Sequence, residues 1–293
     1  MKKFLLWLKI IRPQTLFASF CPVVVALMVT GVNFGLVAVA TVFCALALQI
    51  LSNLINDYYD FKRGADKVGR IGFKRAMAEG EVSEQQMQKA IFITLGIALT
   101  LGLYLVIHSG WQNGAFSIMG TLPILLVGIT ALLFAWLYTA TNHSLSYLGI
   151  ADIFVFLYYG VIASTGTSYL QTHTFCLDSF YAGAVCGLIS MCVLIINNLR
   201  DIDSDREVGK KTFPVRFGKC AGKIGMFVVV LLMPLFAYLA FGLCLPMIVA
   251  LAGLLLFAKT LKSEGAQYNK CLLCAGLVNV FYVILVMLIL LLR

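Results

Sequence analysis

Charge is what this sequence has least of. Lys, Arg, Asp and Glu together make up 12% of the 293 residues and only 13 residues are acidic, against roughly 25% charged in soluble globular chains. With 61% hydrophobic residues and a mean hydropathy of +0.96, there is too little polar surface to wrap a water-soluble domain. That leaves an integral membrane protein. Histidine is scarcer still: His108, His143 and His173 stand alone in predicted loops or span ends, and each reads as structural. The nine cysteines fall mostly inside apolar runs, where they act as small apolar fillers. Cys271 and Cys274 form a C-x-x-C, but with no second pair and no nearby His they make no metal site. The formal charge of +9 does not mark a nucleic-acid partner, because the basic residues are not interleaved with aromatics on a continuous polar domain.

What the chain does have is apolar runs of membrane-spanning length. They lie near 15–32, 36–59, 88–108, 117–138, 147–169, 180–199, 221–242, 245–261 and 271–292. The basic segment 1–12 and the run after it look at first like a signal peptide. The run is too long for that, and no A-x-A-like cleavage site precedes a polar mature domain, so it is kept as the first span. The split at Gly242 is the weakest, since one kinked helix would also fit. With a cytoplasmic N-terminus, nine spans put every Lys and Arg except Arg293 on the cytoplasmic side. Losing one helix would scatter these charges to both faces. The expectation is an all-α fold: a polytopic membrane bundle of nine transmembrane helices, one domain over 1–293, in the cell (inner) membrane with its active site towards the cytoplasm. In that topology the sequon at Asn142 is cytoplasmic and carries nothing.

The acids follow the same geography. All but Asp152, Asp178 and Glu264 lie in or beside the loops after the second and sixth runs. The first stretch, NLINDYYDFKRGADKVGRIGFKR (53–75), places Asn53, Asn56, Asp57 and Asp60 on one stripe when wound as a helix at about 100° per residue. In the second, NNLRDIDSDREVGKKTFPVR (197–216), Asn197, Asn198, Asp201 and Asp205 share an arc and Asp203 points away. One such cluster reads equally well as a solvated helix end; two, each trailed by Lys and Arg, are harder to dismiss. Carboxylate and amide oxygens without His or Cys suit Mg²⁺, which takes one or two protein carboxylates plus phosphate oxygens. Basic residues downstream supply the charge a diphosphate needs. Asp152, at the edge of the fifth run, is a third candidate, because an acid there is costly unless it functions or reaches the interface. Gly183 and Gly187 form a G-x-x-x-G suited to close helix packing.

These residues resemble the UbiA superfamily of intramembrane aromatic prenyltransferases. That family carries an N-x-x-x-D-x-x-x-D motif after its second helix and a D-x-x-x-D motif after its sixth. Asn56 and Asp60 match the first, and Asp201 and Asp205 the second. The third acid of the first motif departs: position 64 is Gly and Asp66 comes two residues later. The forms NDYYDFKRGAD and NNLRDIDSDREVGKKT, with IRPQTLFASFCPV and GIADIFVFLYYG, are similar to the branch that prenylates 1,4-dihydroxy-2-naphthoate. The last three helices add little to the likeness.

The resemblance implies Mg²⁺ held by Asn56, Asp57, Asp60, Asp66, Asp201 and Asp205, bridging to the diphosphate of a polyprenyl donor. It implies that Lys67, Arg70, Lys210 and Lys211 stabilise the leaving group. Asn53, Asn197 and Asn198 would bind substrate, Arg12 would hold the acceptor's carboxylate, and Asp152 would orient or deprotonate its hydroxyl. The partners are then a polyprenyl diphosphate, an aromatic acceptor and membrane lipid; the oligomeric state stays open. Two alternatives stand beside this reading: a sister enzyme with another acceptor, such as 4-hydroxybenzoate or homogentisate, and a transporter whose acids line an ion path.

Overall fold

The computed structural model describes residues 2–31, 34–64, 72, 75–112, 114–138, 145–242 and 244–292. Asp66, Lys67, Arg70, Asn142 and His143 lie outside the described residues. The chain opens with α1 (Lys2–Ile11), then breaks at Arg12, whose φ of 58° is left-handed, before Pro13 starts α2 (Pro13–Thr30). A residue before proline is disfavoured in the right-handed helical region, and Pro at the first helical position is pre-organised. The break therefore falls where local sterics put it, and the first span begins at Pro13, not Thr15. Gly31, at φ 62°, closes α2 in the left-handed cap that glycine adopts without a Cβ penalty.

Next come α3 (Leu36–Lys62) and α4 (Glu84–Gly110), the latter opened by a Ser83–Gln86 capping box. A two-residue hairpin, β1 (Trp111–Gln112) with β2 (Ala115–Phe116), turns the chain into α5 (Ile118–Leu137). A short α6 (Leu145–Leu148) precedes the fifth span. That span is α7 (Ala151–Phe156), a π-helical stretch over Leu157–Ile162 and α8 (Ala163–Thr172) in one rod, displaced a few residues from the expected 147–169. After it run α9 (Leu177–Arg200), the one-and-a-half-turn α10 (Ile202–Glu207), α11 (Phe213–Phe241), α12 (Cys244–Leu261) and α13 (Tyr268–Leu292). Helix α11 starts eight residues before the expected 221 and is broken at Gly218, φ 89°. Gly242, at φ 81°, ends it, so the split before α12 is real.

Among the described residues eight helices are long and apolar enough to cross a membrane, and the run expected at 245–261 contributes a shorter apolar stretch, Met247–Leu261. The bundle is built around α9, 72% of whose apolar window is buried, whereas α4 buries 11%. The exposed Phe92, Ile93 and Leu103 of α4 fit a lipid-facing surface. Around α9 pack Met226, Met233, Ala275 and Tyr282, whose hydroxyl donates to the Ala182 carbonyl at 3.1 Å. Cys21, Cys186, Cys192 and Cys271 fill this core as small apolar groups. Gly183 and Gly187 let α9 close on the π stretch: a Cβ on Gly160 would lie 2.7 Å from the Gly187 Cα and 2.8 Å from the Gly183 carbonyl oxygen.

Candidate active site

The two acidic stretches meet. Lys210 Nζ lies 3.8 Å from Asp60 Oδ1 and 3.7 Å from Asp205 Oδ1, so one ammonium spans residues about 140 positions apart in sequence. The backbone explains the geometry. Helix α9 ends at Arg200 and Asp201 hinges it into α10, one turn of which brings Asp205 round, with its N–H donating to the Asp201 carbonyl at 2.8 Å. The Lys210 N–H donates to the Asp205 carbonyl at 2.9 Å, which folds the basic loop back over the acids.

These groups line a cavity of about 460 Å³. Asn56 and Asp60 reach it from α3, Asn197 and Asn198 from α9, Asp201 from the hinge, Asp205 from α10 and Lys210 from the loop beyond; Arg12 and Asp152 complete the set of expected residues on its wall. Asp60, 3% exposed, keeps its Oδ1 buried with no hydrogen-bond partner, and Asp152 Oδ1 is in the same position. Asp201 is held by its neighbour Arg200 through a two-pronged contact of 2.7 and 2.8 Å, and Arg200 donates onward to Asn269 Oδ1 at 2.9 Å.

Not every expected residue is there. The stripe on α3 is split: at about 100° per residue Asn53 and Asp57 occupy one flank and Asn56 and Asp60 the other. Only the second flank lines the cavity. Asn53 and Asp57 are buried at the corner between α1 and α2, where the Asp57 carboxylate is paired with both Arg12 and Arg75. Lys211 is exposed and does not line the cavity, although its N–H donates to the Tyr147 carbonyl at 3.0 Å. Asp203 points outward with its side chain 79% exposed and paired to Arg206 at 3.4 Å. Asp203→Asn should therefore leave the turnover rate within about twofold of wild type, since exposed pairs contribute little; initial rates on the purified variant check this.

Some wall residues carry no sequence signal of their own. Arg75 is one of several basic residues in its loop, Arg200 stands in the second motif stretch at a position that the motif does not name, and Asn269, Lys270 and Leu273 come from α13, which no motif marks. Thr212 and Tyr138 join them.

A second cavity, about 310 Å³ and almost wholly apolar, lies between α3, α4, α5 and α8. Gln49 and Ser52 of α3 line it, so one helical turn, about 6 Å, separates its edge from Asn56 on the polar side. Phe134 and Tyr158 of its wall stack at 4.8 Å, and Phe134 meets Tyr138, on the wall of the polar cavity, at 5.6 Å.

Among the described residues no three His, Cys, Asp or Glu side chains form a ready metal cage. The donor set still fits Mg²⁺, which needs one or two carboxylates and completes its shell with water and phosphate oxygens. The buried Oδ1 of Asp60 accepts no hydrogen bond and has only the Lys210 ammonium near it, at 3.8 Å, so it keeps the capacity to bind a metal ion.

The profile of the UbiA prenyltransferase family matches residues 17–270. The chain is 40% identical to a 1,4-dihydroxy-2-naphthoate octaprenyltransferase of Escherichia coli (strain K12) over 219 residues, 73% of this chain and 68% of that one. It is 32% identical to the enzyme of that name from Haemophilus influenzae over 253 residues, 82% and 78% of the two chains. The fold is similar to that of a UbiA homolog from Archaeoglobus fulgidus bound to GPP and Mg²⁺, with a TM-score of 0.64 at 17% identity over 97% of this chain and 99% of that one. With its paired acidic motifs brought to one cavity and a family match over most of its length, this chain belongs to the UbiA prenyltransferase family.

Proposed function

We propose that this protein transfers a polyprenyl group from an allylic polyprenyl diphosphate to 1,4-dihydroxy-2-naphthoate. Diphosphate and CO₂ leave, and the quinol of demethylmenaquinone forms. The observation that carries this is the junction of a polar cavity, with acids from both motifs facing one lysine, and an apolar cavity one helical turn away. An amphiphile with a diphosphate head and an isoprenoid tail fits that pair of spaces.

Asn56, Asp60, Asp201 and Asp205 would hold Mg²⁺. When bound, the metal supplies positive charge to the departing diphosphate. Lys210 already sits between Asp60 and Asp205 and adds a charge-assisted contact to the same leaving group. Asp66, Lys67 and Arg70 keep the roles that the motif gives them. As the C–O bond to the prenyl carbon breaks, that carbon becomes cationic and is attacked by the ring carbon bearing the carboxylate. Loss of CO₂ returns its bonding pair to the ring, so no proton has to leave that carbon. Asp152 would accept the hydrogen bond of an acceptor hydroxyl and raise the ring's electron density, a role supported by its place on the wall and its Oδ1 without a hydrogen-bond partner. The basic residues, all but Arg293 on one face of the predicted bundle, support nine spans, a cytoplasmic N-terminus and an active site at the inner face of the cell membrane.

The test is turnover by purified protein with dihydroxynaphthoate, 4-hydroxybenzoate and homogentisate, each with a series of polyprenyl diphosphates. CO₂ release with the naphthoate is expected, and its absence sinks the reading. The apolar cavity makes a further prediction. Gly166 lines it, and a Cβ there would meet only Val127 Cγ1, at 3.9 Å. Gly166→Phe should fill the tail space without moving the backbone. The kcat/KM for an octaprenyl donor should fall about tenfold or more while that for a geranyl donor changes by less than about threefold.

A further inference from the structure

Two of the oxygen-bearing residues on α3 hold a corner instead of lining the cavity. Asn53 donates from Nδ2 to the Ile11 carbonyl and to Thr15 Oγ1, both at 2.9 Å, and accepts from Gln49 Nε2 at 3.3 Å. Those contacts tie the end of α1 and the start of α2 to α3, on either side of the residue in the left-handed region. That residue is Arg12, φ 58° and ψ 71°, a conformation that costs a non-glycine residue energy and persists only where its surroundings enforce it. One turn beyond Asn53, the Asp57 carboxylate, 4% exposed, takes the guanidinium groups of both Arg12 and Arg75, and both arginines line the polar cavity.

We infer that Asn53 and Asp57 are positioning residues which hold Arg12 and Arg75 as a paired-guanidinium clamp for the carboxylate of the aromatic acceptor. The inference rests on the reaction proposed above and extends it by a second arginine and a different task for Asp57. Position selects the ligand. Both guanidinium groups are held by Asp57, on the flank of α3 away from Asn56 and Asp60, and both line the cavity wall, where a planar carboxylate can meet them. Guanidinium also presents its donors in a planar fork suited to a carboxylate. The donor's diphosphate has its own place on the other flank of α3, at Asn56 and Asp60. Asp57 in turn avoids becoming an uncompensated buried charge.

Asp57→Asn in the full-length protein tests this, with Arg75→Gln as a second variant that leaves the Asp57–Arg12 pair in place. Three quantities are read: the KM for the acceptor, the KM for the prenyl diphosphate, and the Mg²⁺ concentration for half-maximal rate. Both variants should raise the acceptor KM at least about tenfold and leave the other two within about twofold. A shift in the Mg²⁺ requirement with the acceptor KM unchanged would make Asp57 a metal ligand and overturn the clamp. A rise confined to the donor KM would assign the arginines to the diphosphate and overturn it equally. Direct binding of 1-hydroxy-2-naphthoate and of 1-naphthol separates this from the proposed reaction. Wild type should prefer the carboxylate and the variants should lose that preference, whether or not dihydroxynaphthoate is turned over; equal preference in wild type and variants refutes the clamp.

Discussion

Asp60→Asn should lower kcat/KM for prenyl transfer by about a thousandfold or more, a loss of about 4 kcal/mol in transition-state stabilisation. The substitution keeps the shape of the side chain and removes its charge. Asp60 is 3% exposed, its Oδ1 has no hydrogen-bond partner, and its nearest cation is Lys210 at 3.8 Å. In the proposed reaction that oxygen belongs to a divalent ion, and an amide is a much weaker ligand for a hard cation. The fold should survive, because Lys210 keeps Asp205 at 3.7 Å as a partner. Asp205→Asn should cost a similar amount, and the double variant little more than either alone, since groups serving one ion act as a unit. Initial rates across a Mg²⁺ titration, with thermal unfolding as a control on folding, check all three. A kcat/KM within tenfold of wild type for Asp60→Asn would remove this carboxylate from the site.

The contrast between Asp60 and Asp57 shows where the sequence is legible and where it stops. Helical spacing is a local property, so a stripe of Asn53, Asn56, Asp57 and Asp60 can be read from residue order alone, as can the helices themselves from apolar runs of spanning length. Which flank of that stripe meets the cavity is decided by what packs against α3, and the Arg12 corner that captures Asn53 and Asp57 lies about 40 residues upstream. The same holds for Lys210 and Lys211. They are identical in type and adjacent in sequence, yet the chain leaving α10 brings only the first to the acids. Asn269, which accepts from Arg200, comes from the start of a helix that is apolar over nearly all its length and offers no periodic signal. The break at Arg12 has a local cause in Pro13, since steric restriction before proline acts on the adjacent residue; the π stretch at Leu157–Ile162 has no such local cause in the residue order, and it lies where α9 packs closely against it.

That contact carries the second large effect. Gly160→Val should lower the thermal midpoint by about 5 °C or more and reduce turnover more than tenfold, although residue 160 lines neither cavity. A Cβ at Gly160 would stand 2.7 Å from the Gly187 Cα, 2.8 Å from the Gly183 carbonyl oxygen and 2.9 Å from the Gly187 nitrogen. All three are backbone atoms of the most buried helix, which cannot rotate away as a side-chain tip could. In a membrane, close packing between helices replaces the hydrophobic drive that water supplies elsewhere, so forcing this pair apart removes stabilisation without any compensating burial. Activity falls with it because the same rod carries Tyr158 and Tyr159 to the apolar cavity and Asp152 to the polar one. A reciprocal substitution tests the geometry. Gly183→Ala overlaps the Ser164 side chain, and Ser164→Gly should recover part of the lost midpoint. Such recovery would tie the loss to that overlap, since residues in contact couple energetically whereas distant ones add. A Gly160→Val protein with wild-type melting and turnover would mean that α9 and the π stretch are not in backbone contact, and the position of Asp152 at the cavity would lose its support.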